Sequence, residues 1–147
     1  RTETMYNNIL VPVDGSAASD AAVEHGVTIA APHDATVHFL HVIDVGTEMS
    51  ASGVGSIADD LTETLTEEAN RILGAAEDQA EEADVTFERA ILEGFPHDAV
   101  VDYCSEHDVD LVIMGASGRS GLKEHLLGST TDRVVRSIDA SVLLARP

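Results

Sequence analysis

The chain has no tryptophan, one cysteine and one lysine, and aromatic residues make up only 3% of its 147 positions. A lone cysteine, Cys104, excludes an internal disulfide. Its place in an apolar helical pattern predicts a buried, inert thiol, which suits a reducing compartment. No uninterrupted apolar run exceeds a handful of residues, far short of the roughly 20 that cross a bilayer. A membrane-spanning helix is therefore excluded, no signal-peptide pattern is visible, and a cytoplasmic protein is expected. With aromatics this scarce and apolar residues at 44%, the core must be built from Val, Ile, Leu and Ala, the usual filling of a parallel sheet. Basic side chains are also few: 8 Lys and Arg stand against 27 Asp and Glu, for a formal net charge of −19. Nucleic acids and anionic membranes are poor partners for such a field. A surface this acidic repels itself in dilute buffer, whereas at molar salt the screening length falls to about 3 Å. A salt-loving host is the expectation.

What is present reads as one domain over residues 5–147, with Arg1 to Thr4 set aside as a tag remnant or upstream extension. Ile9 to Val13 is a short continuous apolar run, as expected of a strand buried on both faces. Pro12 cannot donate to a ladder and should mark the strand's carboxyl edge, the edge at which α/β proteins bind ligands. Asp14, Gly15 and Ser16 turn the chain, and Ser16 is placed to cap a helix with Ala18, Ala22, Gly26 and Ile29 inward and Pro32 at its end. A second strand spans Val37 to Val42. After a Gly- and Ser-rich loop from Gly46 to Ser56, the longest helix carries Ile57, Leu61, Leu65, Ala69, Ile72, Ala76, Ala80 and Ala83 on one stripe and acidic residues on the other face. Val85 to Ile91 predicts a third strand whose Glu88 and Arg89 suit a sheet edge. Pro96 opens a helix with Ala99, Val100, Tyr103, Cys104 and His107 along its seam. Leu111 to Met114 is the fourth strand. Ser129 and Asp132 give the start signal of a last helix with Val134, Val135 and Ile138 inward, and Val142 to Ala145 is the fifth strand. This βαβαβαβαβ order predicts an α/β fold: a doubly wound, five-stranded, mainly parallel, Rossmann-like sheet sandwiched by helices.

The stretch Met114 to Thr131, MGASGRSGLKEHLLGSTT, carries the chemistry. Gly115, Gly118 and Gly121 follow a buried strand directly, so their backbone can take positive φ and approach a ligand closely. Gly128, Ser129 and Thr130 stand where the last helix begins, and its unpaired amides and partial positive charge favour a phosphate. Arg119 and Lys123 are the cations of the stretch. No G-x-x-x-x-G-K-S/T is present and the glycine spacing is not G-x-G-x-x-G, so neither a Walker-type loop nor a dinucleotide fingerprint is supported.

The spacing that does occur is G-x-x-G, nine residues, then G-S, at Gly115, Gly118, Gly128 and Ser129. Together with NILVPVDGS, the H-V ending of the second strand, EGFPHDAVV, DLVIMGASGRSG, LLGSTTDRVV and SVLLARP, it resembles the universal stress protein family in its ATP-binding branch, over nearly the whole chain after Met5. The resemblance implies that Pro12, Val13 and Asp14 line an adenosine pocket with main-chain contacts from Val42. It further implies that Met114, Gly115 and Gly118 border ribose and the first phosphates, and that Gly128, Ser129 and Thr130 hold the distal ones. Arg119, Gly121 and Thr131 complete the expected set. Gly121 departs from the family pattern, in which a bulkier polar residue is common. ATP, ADP or AMP is the implied ligand, with magnesium or manganese held mainly by the phosphates. Asp14 has two readings: contact with a ribose hydroxyl or a metal-bound water, or a cap on its own turn.

Catalysis would need a group that positions water and cations that neutralise the terminal phosphate, and the sequence offers little for either. Binding or sensing is expected rather than rapid turnover, with slow hydrolysis or a ligand-free dimeric scaffold as the alternatives. His38 and His41 lie three apart on a strand, point to opposite faces and cannot share a metal, so structural roles are expected. His97 and His125 read as solvated surface residues. The last strand, apolar and at a sheet edge, invites pairing with a second copy in a twofold homodimer.

Overall fold

A computed structural model describes residues 5–44, 58–116 and 129–147. Five strands, β1 (Asn8–Pro12), β2 (Thr36–Ile43), β3 (Phe87–Glu93), β4 (Leu111–Gly115) and β5 (Ser141–Ala145), form one sheet in the order β3-β2-β1-β4-β5. Every pairing is parallel. Among the described residues four helices alternate with them: α1 (Ala17–His33), α2 (Ala58–Glu82), α3 (Pro96–Glu106) and α4 (Ser129–Ser137). No helix among the described residues is long and apolar enough to cross a membrane. Because strand side chains alternate, the sheet has two apolar faces. Ile9, Val11, Val37, Phe39 and Ile113 pack with α1 and α2. Leu10, Leu40, Val112 and Met114 pack with Val100, Tyr103 and Cys104 of α3 and Val134 of α4. Burial raises the Cys104 thiol to about 11, so it stays protonated at neutral pH and behaves as a small apolar side chain.

Several local expectations are corrected. Pro32 does not stop α1; it sits inside the last turn, and Asp34 ends the helix in the left-handed conformation (φ 55°, ψ 38°). Proline removes one amide there, and the carbonyl it would have met belongs to Thr28, which is on the exposed side. Ala83 is exposed beyond the end of α2. Val135 is 43% exposed, whereas Val134 is fully buried; the inward stripe of this short helix runs Thr131, Val134, Ile138, and Val135 falls about 100° away from Val134 on the 3.6-residue period. His107 is exposed too, although its ring stacks on Tyr103 at 3.8 Å.

The two sheet edges differ. Edge strand β3 carries Glu88 and Arg89, and Arg89 reaches α2: its Nε and Nη2 donate to the two oxygens of Glu77 at 2.9 Å each and its Nη1 to Asn70 Oδ1 at 2.6 Å. A bidentate pair of this kind fixes orientation as well as charge. Edge strand β5 instead shows Val142, Leu143 and Leu144, the last 37% exposed.

Candidate functional site

Strand order reverses between β1 and β4, since β1 leads outward through β2 to β3 and β4 leads outward to β5. The β1–β4 ladder is short: it pairs Ile9 with Leu111 and Leu10 with Val112. By contrast β1 stays paired with β2 as far as Pro12–Leu40, and β4 with β5 as far as Gly115–Ala145. The two central strands therefore part over their carboxyl halves, with Pro12, Val13 and Asp14 on one lip and Met114, Gly115 and Ala116 on the other. Such a parting is the position at which open α/β sheets receive ligands.

Each lip is held from behind. The Val13 amide donates to the Leu40 carbonyl at 2.8 Å. Its own carbonyl lies 2.8 Å from His41 Nδ1; a carbonyl only accepts, so Nδ1 carries the hydrogen and donates. Asp14 caps its own turn: the Ser16 amide donates to Asp14 Oδ1 at 2.9 Å, and Gly15 takes a positive φ of 84°. The Asp14 amide donates to Ser19 Oγ at 3.1 Å, and the Ser19 amide to Ser16 Oγ at 3.1 Å. Ser16 is thus the N-cap of α1 with extended backbone, as its residue type predicts. The capping reading of Asp14 is present in the structure, and it leaves the carboxylate half-buried at the mouth of the crevice.

Gly115 does not use the positive φ open to a glycine; among the described glycines that conformation is confined to Gly15 and Gly94. Its requirement is steric. A Cβ built there would stand 2.7 Å from Ala18 Cβ, 2.8 Å from the Ala18 carbonyl carbon and 3.0 Å from its oxygen. The first turn of α1 lies directly on this glycine.

The remaining candidate residues fall into three groups. Val13 and Met114 bury their side chains in opposite core faces, and the Val13 amide and carbonyl are engaged by Leu40 and His41 of β2. Val42 packs half-buried against the α3 and α4 face. Ser129 and Thr130 open α4, and Thr131 in its first turn is buried. Gly118, Arg119, Gly121 and Gly128 lie outside the described residues, as do Lys123 and His125. A separate cavity of about 220 Å3 lies between α1 and α2, lined by Val13, Gly15, Ser19, Arg71 and Ile72 among others; Asp14, Val42, Met114 and Gly115 take no part in it.

The sequence-length similarity is unambiguous, for the universal stress protein family profile matches residues 5–146. The chain belongs to the universal stress protein family. Universal stress protein MJ0531 of Methanocaldococcus jannaschii is 34% identical over 144 residues, 98% of this chain and 84% of the relative. Among solved structures, MJ0577 of the same organism superposes with a TM-score of 0.87 at 31% identity, covering 97% of each chain. A universal stress protein solved in complex with cAMP superposes with a TM-score of 0.70 at 27% identity, covering 96% of this chain and 97% of that one.

Two supporting residues of this universal stress protein escape a reading of its sequence. Ser19 reads as one more helix position, yet it is buried and its hydroxyl accepts the Asp14 amide. His41 reads as structural without a partner, and only the fold places it behind the Val13 carbonyl. The two strand histidines face opposite ways, as their spacing predicts: His38 bonds Tyr103 on the α3 side, and His41 bonds Val13. Among the described residues there is no cluster of three or more His, Cys, Asp or Glu able to hold a metal. His97 is less solvated than expected, half-buried with Nδ1 at 2.9 Å from Asp98 Oδ1.

His38 shows why the other face tolerates a buried imidazole. Its Nε2 lies 3.0 Å from Asn8 Oδ1, which only accepts, so Nε2 carries the hydrogen; Nδ1 then accepts from the Tyr103 hydroxyl at 2.7 Å. Burial, then the Glu88 carboxylate, pushes the Tyr103 phenol up to about 12, which keeps it a donor. Burial holds His38 below its ordinary 6.5, with Glu88 opposing and His107 adding to the fall. The unfolded chain therefore takes up a proton at this residue before the folded one does. The stability His38 contributes is full above pH 6.5 and is lost as pH falls through 6.5 toward the lowered native value. In urea titrations between pH 7.5 and 5, the stability advantage of wild type over His38→Gln should shrink as pH falls; an advantage that widens on acidification would contradict the neutral assignment.

Proposed function

We propose that this protein binds one adenine nucleotide in the crevice between β1 and β4 and acts by holding or sensing it rather than by turning it over rapidly. The observation that carries the reading is the early parting of β1 from β4, which leaves a crevice beside the half-buried Asp14. The universal stress protein complexed with cAMP, similar along 96% of this chain, supports an adenine nucleotide as the ligand class. In this reading Pro12, Val13, Asp14 and the Val42 main chain receive adenosine, and Met114, Gly115 and Gly118 border ribose and the first phosphates. Gly128, Ser129 and Thr130 hold the distal phosphates, where the amides and dipole of a helix start favour an anion, and Arg119, Gly121 and Thr131 complete the set. With a net charge of −19, magnesium or manganese bridging the phosphates is needed to bring a polyanion in.

We further propose a single domain over residues 5–147, a cytoplasmic setting of high ionic strength, and a homodimer formed through β5. Titration calorimetry at molar salt with ATP, ADP, AMP and cAMP, with and without magnesium, tests the site. Saturable binding of at least one of them at one site per chain is expected, and absence of heat and of equilibrium-dialysis retention at millimolar nucleotide would rule the site out. Phosphate release in the same samples measures turnover, which should stay far below the 1 s⁻¹ at the low end of ordinary enzymes. Light scattering at molar salt reports the dimer as twice the chain mass.

A further inference from the structure

The chain spends its five aromatics sparingly: three Phe, two Tyr and no Trp. Phe39 and Tyr103 are buried, and Phe87 and Tyr6 pack half-buried against the core. Phe95 differs, with 65% of its surface exposed. Its local role does not account for it. Phe95 is the N-cap of α3 and makes no side-chain cap bond, at a position where Ser, Thr, Asp or Asn would satisfy a free helix amide.

Its backbone is nonetheless firmly placed. Pro96 follows at the first helical position, the Phe95 carbonyl accepts the Ala99 amide at 3.0 Å, and the neighbouring Gly94 amide donates to the Ile43 carbonyl at 3.0 Å. Strands β2 and β3 stay in register through Val42–Leu92 and Ile43–Glu93. Phe95 therefore stands just past the carboxyl end of β3, one strand spacing of roughly 5 Å from the end of β2, where in the nucleotide-binding reading the Val42 main chain receives adenosine. It is on the same carboxyl edge of the sheet as the β1–β4 crevice.

We infer that Phe95 is a platform for the purine ring of the bound nucleotide, recognising the base by stacking rather than by hydrogen bonds. The inference rests on the nucleotide-binding reading above and deepens it. In a chain this acidic the phosphates gain little from the overall field, whereas a neutral aromatic base gains from an apolar face whatever the charge. Stacking is also tolerant of base identity, since every base has a π face.

The test separates base from phosphate. Wild type, Phe95→Ala, Phe95→Leu and Phe95→Trp are titrated at molar salt with ATP, AMP and inorganic tripolyphosphate, with far-UV circular dichroism as the check on folding. Phe95→Ala should weaken ATP and AMP by roughly ten- to a hundred-fold and leave tripolyphosphate unchanged; Phe95→Leu should recover only part of the loss. In Phe95→Trp the new indole is the sole tryptophan, and its emission should be quenched by ATP and AMP but not by tripolyphosphate. Wild-type binding that persists unchanged in Phe95→Ala, an indole blind to ATP, or equal losses for ATP and tripolyphosphate overturns the platform and leaves the nucleotide site standing. Failure of wild type to bind any adenine nucleotide overturns both. Should Phe95→Ala not fold, the Leu and Trp variants decide by the same criteria.

Discussion

Gly115→Val is expected to lower stability by about 3 kcal/mol, at the upper end of ordinary overpacking, and to weaken adenine-nucleotide binding by at least about ten-fold, the equivalent of 1.4 kcal/mol. The reason is spatial. A Cβ at this position would already stand 2.7 Å from Ala18 Cβ and 2.8 Å from the Ala18 carbonyl carbon, well inside the 3.5–4.0 Å at which carbon atoms attract, and valine adds two more methyl groups. Either the end of β4 or the first turn of α1 must move. The first turn of α1 carries Ser16 and Ser19, whose hydroxyls organise the Asp14 turn, so strain at one lip of the crevice reaches the other. Ala18→Gly in a Gly115→Ala background should restore only part of the loss, because the Ala18 carbonyl carbon remains close. Urea unfolding followed by circular dichroism, paired with calorimetry, reads both effects; a Gly115→Val protein within 0.5 kcal/mol of wild type, on the scale of ordinary surface changes, would mean that the close packing of α1 on β4 is not as described.

Phe39→Ala is expected to cost about 3–5 kcal/mol without touching the site directly. Phe39 is completely buried in the middle of β2, opposite Val11 on one side and Arg89 on the other, with its ring 6.2 Å from that of Phe87. With so few aromatics in the chain, no neighbour has the volume to fill the space left behind. A loss of that size consumes much of the 5–15 kcal/mol by which domains are stable. The unfolding midpoint in urea should fall steeply while the slope of the transition stays the same. A shift below about 1 kcal/mol would show that the α1 and α2 face relaxes around the gap.

The strands were legible because a sheet covered on both faces demands continuous runs of β-branched and aliphatic residues, and Ile9–Val13 and Leu111–Met114 have no other economical use. Edge positions were legible as well, through Glu88 and Arg89 in β3. Boundaries were less so. The Val85 amide donates to the Ala80 carbonyl at 2.9 Å and closes the end of α2, so β3 starts only at Phe87, and it runs on to Glu93 because β2 extends to Ile43. Pro32 misled because a proline in the final exposed turn removes an amide whose acceptor water can satisfy. At the proposed site, residue types named candidate positions but not the forces that hold them. Gly115 read as a glycine free in φ, whereas its requirement is the close contact with Ala18. The supports from Ser19 and His41 depend on pairings across the sheet and the β1–α1 turn, which no local pattern encodes.

The clasp between Arg89, Glu77 and Asn70 has a consequence for assembly. One margin of the sheet carries charged side chains, with Arg89 clasped to a helix, which discourages pairing with a neighbour; the opposite margin, Ser141 to Ala145, is largely apolar. Molecules receptive on a single side can join face to face about a twofold axis and then have nothing left to offer. If the proposed dimer forms through β5, growth would end at two, and a chain with an apolar border would not polymerise even when its acidic coat is masked by salt.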